Sequence, residues 1–393
     1  MSGGDYDVIV VGGGLVGSAT ALGLASAGLH VALVEAGPLP AAAASLAEGW
    51  DSRIYAISPG SMDLLHRLGV WDRLDQARIA PVEEMQVWGD DVSACLEFSA
   101  YRTGVPVLAS IVESRLLQHG LWSALQDLDH VELVSPARCS ALTLDTAQAI
   151  LDLEDGRRLA AALVVGADGA ASWTRSCAGI GVRCQPYEQT AVVANFEAGR
   201  PHHHVARQWF REDGILAWLP LPGNRISMVW SAPERHARML LDMAPDELAQ
   251  TVTEAGGHRL GELNLVTPAA GFPLKLQNAE AMVKPRLALV GDAAHLVHPL
   301  AGQGVNLGFQ DAATLVSVLL QRGMQSDPGD YLLLRRYERS RRWDIASMQA
   351  VTGGLNHLFS STLPGARQVR NWGLSLTNRQ RFLKTRLIRQ ALG

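Results

Sequence analysis

Cysteine is scarce in this sequence, and its arrangement does not suit metal binding. The 393 residues contain four cysteines, and no two of them form a C-x-x-C pair. Zinc sites and disulfide frameworks both need close or regular cysteine spacing. We therefore expect no metal site and no disulfide framework, and the cysteine usage is typical of a reducing cytoplasm. The four residues are Cys95, Cys139, Cys177 and Cys184.

Two targeting features are also missing. The N-terminus carries Asp5 and Asp7 where a secretory signal would be basic. Residues 8–34 lack Asp, Glu, Lys and Arg and form a stretch long enough for a membrane span, but they include six glycines. Their strand–turn–helix–strand pattern instead predicts a soluble βαβ unit. We expect a cytoplasmic protein with no nucleic-acid partner.

One end of the chain carries a net positive charge, whereas the rest is net negative. Residues 331–393 contain 12 Lys+Arg and 2 Asp+Glu, or +10, which leaves −15 for the first 330 residues of a chain whose net charge is −5. Near the end, Arg381, Lys384, Arg386 and Arg389 alternate with apolar residues. This pattern is typical of a basic amphipathic helix that lies on an anionic membrane, although a basic face packed on the body gives the same pattern.

The first motif with a chemical meaning is the glycine run at residues 12–17. It follows an apolar strand, precedes an alanine-rich helix and fits G-x-G-x-x-G. Gly12 permits the tight turn, Gly14 admits a pyrophosphate, and Gly17 lets helix and strand pack closely. Glu35 ends the next strand, where a carboxylate can bind ribose hydroxyls. We predict one dinucleotide site, and the chain shows no second fingerprint for a separate nicotinamide domain.

The second motif lies at residues 290–311. An apolar strand at residues 287–291 leads into a glycine-rich loop and then a helix, an arrangement that presents backbone N–H groups to a ligand. Gly302 and Gly304 allow the main chain to approach a flat group closely. Asp292, just beyond the strand, can accept hydrogen bonds from ligand hydroxyls.

Two shorter motifs and one helix complete the nucleotide-binding part. Arg53 follows Asp51, and Asp168-Gly169 precedes Arg175 by a spacing that lets acid and arginine address one pyrophosphate together. A plain turn at Asp168 and a surface role for Arg53 are the structural alternatives. Residues 111–128 predict an amphipathic core helix.

From residue 181 to about 271 the pattern changes to short alternating strands, which predicts an antiparallel sheet. Its aromatic side chains predict either the lining of an apolar substrate cavity or ordinary core. Three consecutive histidines at residues 202–204 lie on a predicted loop and are expected to be solvated, without a metal. The aromatic residues are Trp209, Phe210, Trp218 and Trp230.

The motifs at residues 291–295 (Gly-Asp-Ala-Ala-His) and 298–304 (His-Pro-Leu-Ala-Gly-Gln-Gly), followed by Asn306, Gly308 and Asp311, resemble a known signature. It is that of the ubiquinone-biosynthesis flavin hydroxylases, single-component aromatic monooxygenases that fold like p-hydroxybenzoate hydroxylase. Short segments at residues 204–208, 214–217, 334–341 and 387–391 look most like the bacterial branch that hydroxylates C5 of 2-polyprenylphenol.

The resemblance implies an α/β fold: a Rossmann-like FAD-binding domain, an inserted and mainly antiparallel substrate sheet, and a helical C-terminal segment. We assign residues 1–80, 105–180 and 275–325 to the first, 81–104 and 181–274 to the second, and 326–393 to the third. It also implies that NAD(P)H reduces FAD, that O₂ then forms a C4a-hydroperoxide, and that this hydroxylates a lipid-soluble polyprenylated phenol. A peripheral membrane contact or a ubiquinone-biosynthesis complex would supply such a substrate.

The resemblance further implies the site. Asp292 would hold the ribityl chain of FAD, and the loop Pro299, Leu300, Ala301 and Gly302 would lie beside the isoalloxazine ring. No protein acid or base is identified, because the flavin does the chemistry. The predicted FAD contacts are Gly12, Gly14, Val16, Gly17, Glu35, Arg53, Asp168, Gly169, Asp292, Gly302, Gln303, Gly304, Val305 and Asn306.

Several alternatives remain open from the sequence. A related hydroxylase acting at C6 or C1 would share the core motifs. A hydroxylase of a soluble aromatic would also keep them, and a non-catalytic scaffold of a quinone-synthesis assembly could retain the fold. A nicotinamide dehydrogenase would explain the glycine run and Glu35 but not the second motif.

Overall fold

The computed structural model describes residues 5–39, 49–89, 95–297, 304–323 and 326–360; beyond residue 350 it describes the course of the last helix but not its side chains. The strands of these ranges are β1 (Tyr6–Val11), β2 (Val31–Val34), β3 (Ile54–Ile57), β4 (Ala80–Val82), β5 (Glu84–Trp88), β6 (Cys95–Ser99), β7 (Ala109–Glu113), β8 (Val131–Val134), β9 (Cys139–Leu144), β10 (Ala149–Leu153), β11 (Arg158–Gly166), β12 (Val182–Ala198), β13 (Val205–Arg211), β14 (Gly214–Leu221), β15 (Arg225–Pro233), β16 (Leu263–Leu265), β17 (Ala270–Ala279), β18 (Val283–Lys284), β19 (Leu287–Leu289) and β20 (His295–Leu296).

The α-helices of the same ranges are α1 (Leu15–Ser26), α2 (Pro59–Arg67), α3 (Ala100–Thr103), α4 (Ser114–Gln126), α5 (Trp173–Cys177), α6 (Glu234–Asp242), α7 (Pro245–Ala255), α8 (Gly304–Leu320) and α9 (Tyr331–Ser360).

A largely parallel sheet forms the first layer. Its strands lie in the order β18-β19-β11-β1-β2-β8, and β10 and β9 extend it beside β11. Val8, Ile9 and Val10 of β1 are fully buried, as expected for a central parallel strand covered on both faces. Residues 8–34 therefore form the predicted βαβ unit, with α1 packed against α4 and α8.

A second, mostly antiparallel sheet has the order β20-β17-β12-β15-β14-β13-β5-β6, and β16 also pairs with β12. Helices α6 and α7 cover one face of it. Strand β17 crosses residue 275, where we had placed a domain boundary, and β20 also joins this sheet. The segment that carries the second motif is thereby tied directly to the sheet.

A small antiparallel sheet, β3-β7-β4, lies between these layers. Its strand β7 corrects part of our helix prediction, because residues 111–113 are extended and the helix begins only at Ser114. Ile111 and Val112 pair with Ala56 and Tyr55 across the sheet. β-Branched side chains fit such a pleated surface better than a helix.

Helix α9 packs its apolar stripe on the first sheet. Leu334 and Tyr337 are fully buried, and the Tyr337 hydroxyl donates to the Leu289 carbonyl over 2.9 Å. Arg341 is also buried, so the basic residues of this helix do not all lie on one solvated face. None of the described helices is long and apolar enough to cross a bilayer.

Candidate functional site

The glycine run forms a tight loop between β1 and α1. Gly12 has φ +104°, and a Cβ on Gly17 would lie 1.9 Å from the Gly12 carbonyl oxygen, so both positions need glycine. No described atom lies within 4 Å of a Cβ placed on Gly14, which precedes the first helical residue. The loop therefore leaves room at a helix N-terminus, where an anion is favoured.

Glu35 lies beside this loop at the end of β2. Its carboxylate accepts hydrogen bonds from the N–H groups of Gly13 (2.6 Å) and Gly37 (2.7 Å). Each carboxylate oxygen has a second lone pair, so both can still accept from a ligand hydroxyl. Two backbone donors hold the acid in place.

Val16 connects the two motifs. A Cβ on Gly291 would lie 3.2 Å from Val16, and one on Gly308 would lie 2.4 Å from it. The glycines of the second motif thus allow the first helix to pack closely against it. Val16 itself also lines the main cavity.

Asp168 and Arg175 do not form the joint anion site that we predicted. The Asp168 carboxylate accepts from the Thr174 backbone N–H over 2.8 Å and from the Ser172 and Thr174 hydroxyls, so it stabilises the start of α5. The guanidinium of Arg175 is buried and donates to the carbonyls of Ala293 (2.9 Å) and Ala170 (3.1 Å). Both side chains are occupied within the protein. Gly169, with φ +79°, makes the turn between them and lines the cavity.

Asp292 lies in the turn Gly291–Ala293 and faces the main cavity. Its carboxylate has no hydrogen-bond partner among the described residues. Burial raises the pKa of Asp292 above its ordinary value, although His295 and Arg53 oppose the shift. The unpartnered carboxylate of Asp292 is therefore stabilised by a hydrogen bond from any hydroxyl donor that enters the cavity.

Asp311 of α8 bonds this turn through the backbone of Gly291. One oxygen of this fully buried carboxylate accepts from the Gly291 N–H (2.9 Å) and from His295 Nε2 (2.6 Å), and the other accepts from Arg341 Nε (2.7 Å). Burial alone would raise the pKa of Asp311, but His295 and Arg341 lower it below the ordinary value. Helix α9 is therefore bonded through Asp311 to the residue before Asp292.

Of the remaining predicted FAD contacts, the structure describes Gly304, Val305 and Asn306. Gly304 and Val305 open α8 and line the cavity, and no described atom lies within 4 Å of a Cβ placed on Gly304. The Asn306 side chain is buried and bonds the backbone of Ala56 and Ser58, so it joins β3 to α8. The predicted ring loop Pro299, Leu300, Ala301 and Gly302, together with Gln303, lies outside the described residues.

Arg53 lies at the rim of the same cavity. Its guanidinium carbon is 5.6 Å from the centroid of the Tyr55 ring and 6.0 Å from that of Phe272. These two aromatic residues belong to different sheets. Arg53 thus bridges the small sheet and the second, mostly antiparallel sheet.

The cavity has a volume of about 460 Å³ and connects the glycine loop, Asp292 and the antiparallel sheet. Of the two alternatives for the aromatic residues, cavity lining and ordinary core, the structure shows ordinary core. Trp209, Trp218 and Trp230 belong to the core under α6 and α7, and Phe210 belongs to a separate cluster. Because side chains alternate along a strand, the neighbouring residues Gln208, Ala217, Val229 and Ser231 face the cavity instead.

The histidine run is not fully solvated. His202 is buried, and its Nε2 lies 2.9 Å from the carbonyl oxygens of Leu221 and Gly223, so this nitrogen carries the donated proton. Burial lowers the pKa of His202. Within the described part of the chain, no group of three or more His, Cys, Asp or Glu is placed to hold a metal ion.

The site also contains residues that the sequence did not reveal. The sequence counts Arg341 only within the basic block at residues 331–393, and the signal for its burial is a helical spacing in phase with the buried Leu334 and Tyr337. Gln208 and Ser231 gave no signal, because polar residues alternate with apolar ones on many strands.

The described residues fit FAD. The open space at Gly14 suits a pyrophosphate, the anchored Glu35 suits the adenosine ribose, and the free carboxylate of Asp292 suits a polyol chain. Gly14 and Asp292 line the same cavity, and Glu35 is bonded to Gly13 beside it.

Comparison with known proteins agrees with this fit. A family model described as "FAD binding domain" matches residues 5–351. The 3-demethoxyubiquinol 3-hydroxylase of Escherichia coli (strain K12) is 39% identical over 391 residues, covering 98% of each chain. Ubiquinone hydroxylase UbiL of Rhodospirillum rubrum is 38% identical over 388 residues, covering 98% of this chain and 89% of the relative.

A solved structure is similar in fold. Pseudomonas aeruginosa PqsL in complex with 2-aminobenzoylacetate matches with a TM-score of 0.78, covering 95% of this chain and 100% of that chain, at 23% identity. At this identity the likeness concerns the fold alone. It confirms the predicted α/β fold, with mixed sheets and C-terminal helices.

Proposed function

Because the chain belongs to the FAD-dependent monooxygenase family that includes the ubiquinone-biosynthesis hydroxylases, we propose that it hydroxylates the ring of a polyprenylated ubiquinone precursor, using O₂ and NAD(P)H. The predicted cofactor, FAD, and the predicted class of enzyme are confirmed by the family. The substrate, the reductant and the role of each residue are the proposal.

One observation carries the proposal. The cavity that contains the Asp292 carboxylate continues along an apolar wall of the antiparallel sheet, including Val193, Ile215 and Leu219. A soluble aromatic acid would need a cation within that wall, and the residues of β12 to β15 and β17 that line the cavity include none; Arg53 lies at the rim and His295 is bonded to Asp311. An apolar wall of this kind suits a ring with a hydrocarbon tail.

The residues of the chain have distinct tasks in this scheme. Gly14 and the start of α1 hold the pyrophosphate, Glu35 the ribose, and Asp292 the ribityl hydroxyls. FAD, when bound, supplies the activation of oxygen that no side chain can provide. The sheet wall excludes water and orients the substrate ring toward the flavin.

Two substrates are candidates. The name of the Escherichia coli relative, with 39% identity over 98% of both chains, supports a demethoxyubiquinol, a ring that already carries two hydroxyls. The short segments that resemble the C5 branch support 2-polyprenylphenol, which carries one. We place the quinol first, because the full-length identity draws on far more positions than the short segments.

A peripheral membrane position would explain access to such a substrate. On α9, Trp343 is 77% and Leu332 74% exposed, and the exposed Arg336 and Arg339 lie between them on the same helix face. Tryptophan and arginine together favour the interface of an anionic bilayer. The basic segment at residues 379–389, on which the sequence prediction depended, lies outside the described residues.

Vesicle co-sedimentation tests the membrane position. The protein should bind anionic vesicles at low salt and lose them at 1 M salt, where the screening length falls to about 3 Å. Changing Arg336 and Arg339 to Gln should weaken binding, and so should changing Arg381, Lys384, Arg386 and Arg389 to Gln. If both variants bind the vesicles as well as the intact protein does, or if the intact protein does not bind them, the membrane position is removed from the proposal.

The experiment for the function itself is product analysis. Purified protein with FAD, NADH or NADPH, and ¹⁸O₂ is offered a short-tail demethoxyubiquinol or a short-tail 2-prenylphenol. We expect one added oxygen atom, carrying the label, in the quinol. Reaction of the phenol alone would select the C5 assignment, and reaction of neither would refute the proposed function.

A further inference from the structure

The apolar wall of the cavity contains two polar side chains, Gln208 on β13 and Ser231 on β15. Each is only 5% exposed, and both line the cavity. Neither side chain makes a hydrogen bond to another of the described residues, and the polar atoms of neither are closed off from the cavity. An amide or hydroxyl that faces a cavity without a protein partner favours a ligand that can bond to it.

The register of the sheet places the two groups in adjacent rows. Gln208 pairs with Ala217, which pairs with Val229, and in the next row Ile215 pairs with Ser231. Two strand spacings and one two-residue step separate the two Cα atoms by about 12 Å. The side chains point to the same face, so the gap between their polar ends is about the width of one substituted ring.

The two rows lie at different distances from the segment that follows Asp292. Ser231 lies in the row of Ala191 and Phe272, whereas Val229 lies in the row of Val193 and Ala270. Strand β17 then runs on from Phe272 toward Gln277, which pairs with Leu296 of β20. The Ser231 row is therefore closer than the Gln208 row to the segment that follows Asp292.

We infer that Gln208 and Ser231 bind the two oxygen substituents on opposite sides of the substrate ring and thereby select a quinol over a monophenol. This inference rests on the proposed function and adds its specificity determinants. The Gln208 amide can donate to or accept from one ring oxygen, and the Ser231 hydroxyl bonds the other. A ring with a single hydroxyl can satisfy only one of the two groups and leaves the other buried without a partner.

The test is ligand binding without turnover. Under anaerobic conditions and without NAD(P)H, the FAD-loaded protein is titrated with a short-tail demethoxyubiquinol and with a short-tail 2-prenylphenol, using calorimetry and the flavin absorbance change. One neutral hydrogen bond contributes about 1 kcal/mol, so the wild-type protein should bind the quinol about five- to tenfold more tightly.

The variants separate recognition from a structural role. Gln208→Leu and Ser231→Ala should each weaken quinol binding by about five- to tenfold. The variant of the group that the phenol does not bond should leave phenol binding unchanged, so that the preference for the quinol falls to about onefold there. Gln250→Leu, an exposed position on α7, is the matched control and should keep the wild-type preference. A merely structural role would weaken both ligands by the same factor.

The outcomes are distinguishable. If the wild-type protein prefers the quinol and both variants keep that preference, or if they lose affinity equally for both ligands, the assignment of Gln208 and Ser231 is refuted while the proposed function stands. If the wild-type protein binds neither ligand and forms no product, the proposed function and this inference fail together.

Discussion

Two aspartates end neighbouring parallel strands of the first sheet, yet the structure uses them differently. Asp168 follows β11 and Asp292 follows β19, and these strands pair with Gly166 opposite Leu289. The Asp168 carboxylate bonds the first residues of α5. The Asp292 carboxylate faces the cavity with no partner among the described residues.

The difference comes from what lies next to each turn. After Asp168 the chain begins a helix at once, and its free N–H groups together with the hydroxyls of Ser172 and Thr174 satisfy the acid. At Asp292 the N–H of the preceding Gly291 is already bonded to Asp311, which is itself held by Arg341. An acid at a strand end is thus available to a ligand only when other groups satisfy its surroundings.

The largest expected effect is on stability, through the Arg341–Asp311 ion pair that supports the turn containing Asp292. Arg341→Met leaves the Asp311 carboxylate buried without its guanidinium partner, and we expect a loss of about 3–5 kcal/mol in the free energy of unfolding. Urea unfolding of the apoprotein measures it. Arg336→Met removes an exposed arginine from the same helix and should cost less than about 1 kcal/mol. Equal stabilities of the two variants would contradict the role of Arg341.

The next effect concerns the ligand. Asp292→Ala removes the free carboxylate, and since a hydrogen bond to a charged group contributes about 1.5–3 kcal/mol, the Kd for FAD should rise about ten- to 100-fold. Flavin fluorescence quenching measures the affinity, and circular dichroism checks that the variant is folded. Full FAD occupancy in this variant would show that Asp292 does not bind the ribityl chain.

The opposite result is expected for the other aspartate. Asp168→Ala removes the acceptor at the start of α5 and should cost about 1–2 kcal/mol of unfolding free energy. The Kd for FAD should stay within about threefold of the wild-type value, because this carboxylate already has partners inside the protein. A large loss of FAD affinity with unchanged stability would reverse our comparison.

The smallest expected effect is on the pH dependence of apoprotein stability. Because burial raises the pKa of Asp292, ionisation of this group costs stability in the apoprotein as the pH rises through that raised value. Asp292→Asn should therefore make the apoprotein more resistant to urea at neutral pH, while it binds FAD less tightly. The gain should vanish at acid pH, where Asp292 is itself protonated. Lower stability of the Asn variant at neutral pH would refute this account.

Local patterns predicted much of the nucleotide-binding half. Gly12, Gly14 and Gly17 lie where the fingerprint places them, because a tight turn and a close helix–strand contact each depend on a few adjacent residues. Helix α7 likewise follows local signals, since it begins at Pro245 and its amphipathic pattern ends before Gly256. The helix predicted from residue 111 began too early, since pairing with β3 outweighed the helical spacing.

The substrate side could not be predicted in the same way. The aromatic strand residues Trp209, Trp218 and Trp230 were candidates for the cavity, and the structure places them against α6 and α7. A strand has two faces, and a difference of one residue decides which of them is buried under helices. Nothing in one strand's sequence states which face the rest of the chain will cover.

The sequence by itself determined the features that depend on adjacent residues: the glycine loop, the acids at the strand ends and the strand–loop–helix order around Asp292. Only the tertiary structure decided how those acids are used, because their partners come from distant segments. Arg341 reaches Asp311 across 30 residues of chain, and Asp311 reaches Gly291 across 20. Packing alone brings such groups together, and it therefore decides that Asp168 supports a helix while Asp292 and the Gln208–Ser231 face remain open to ligands.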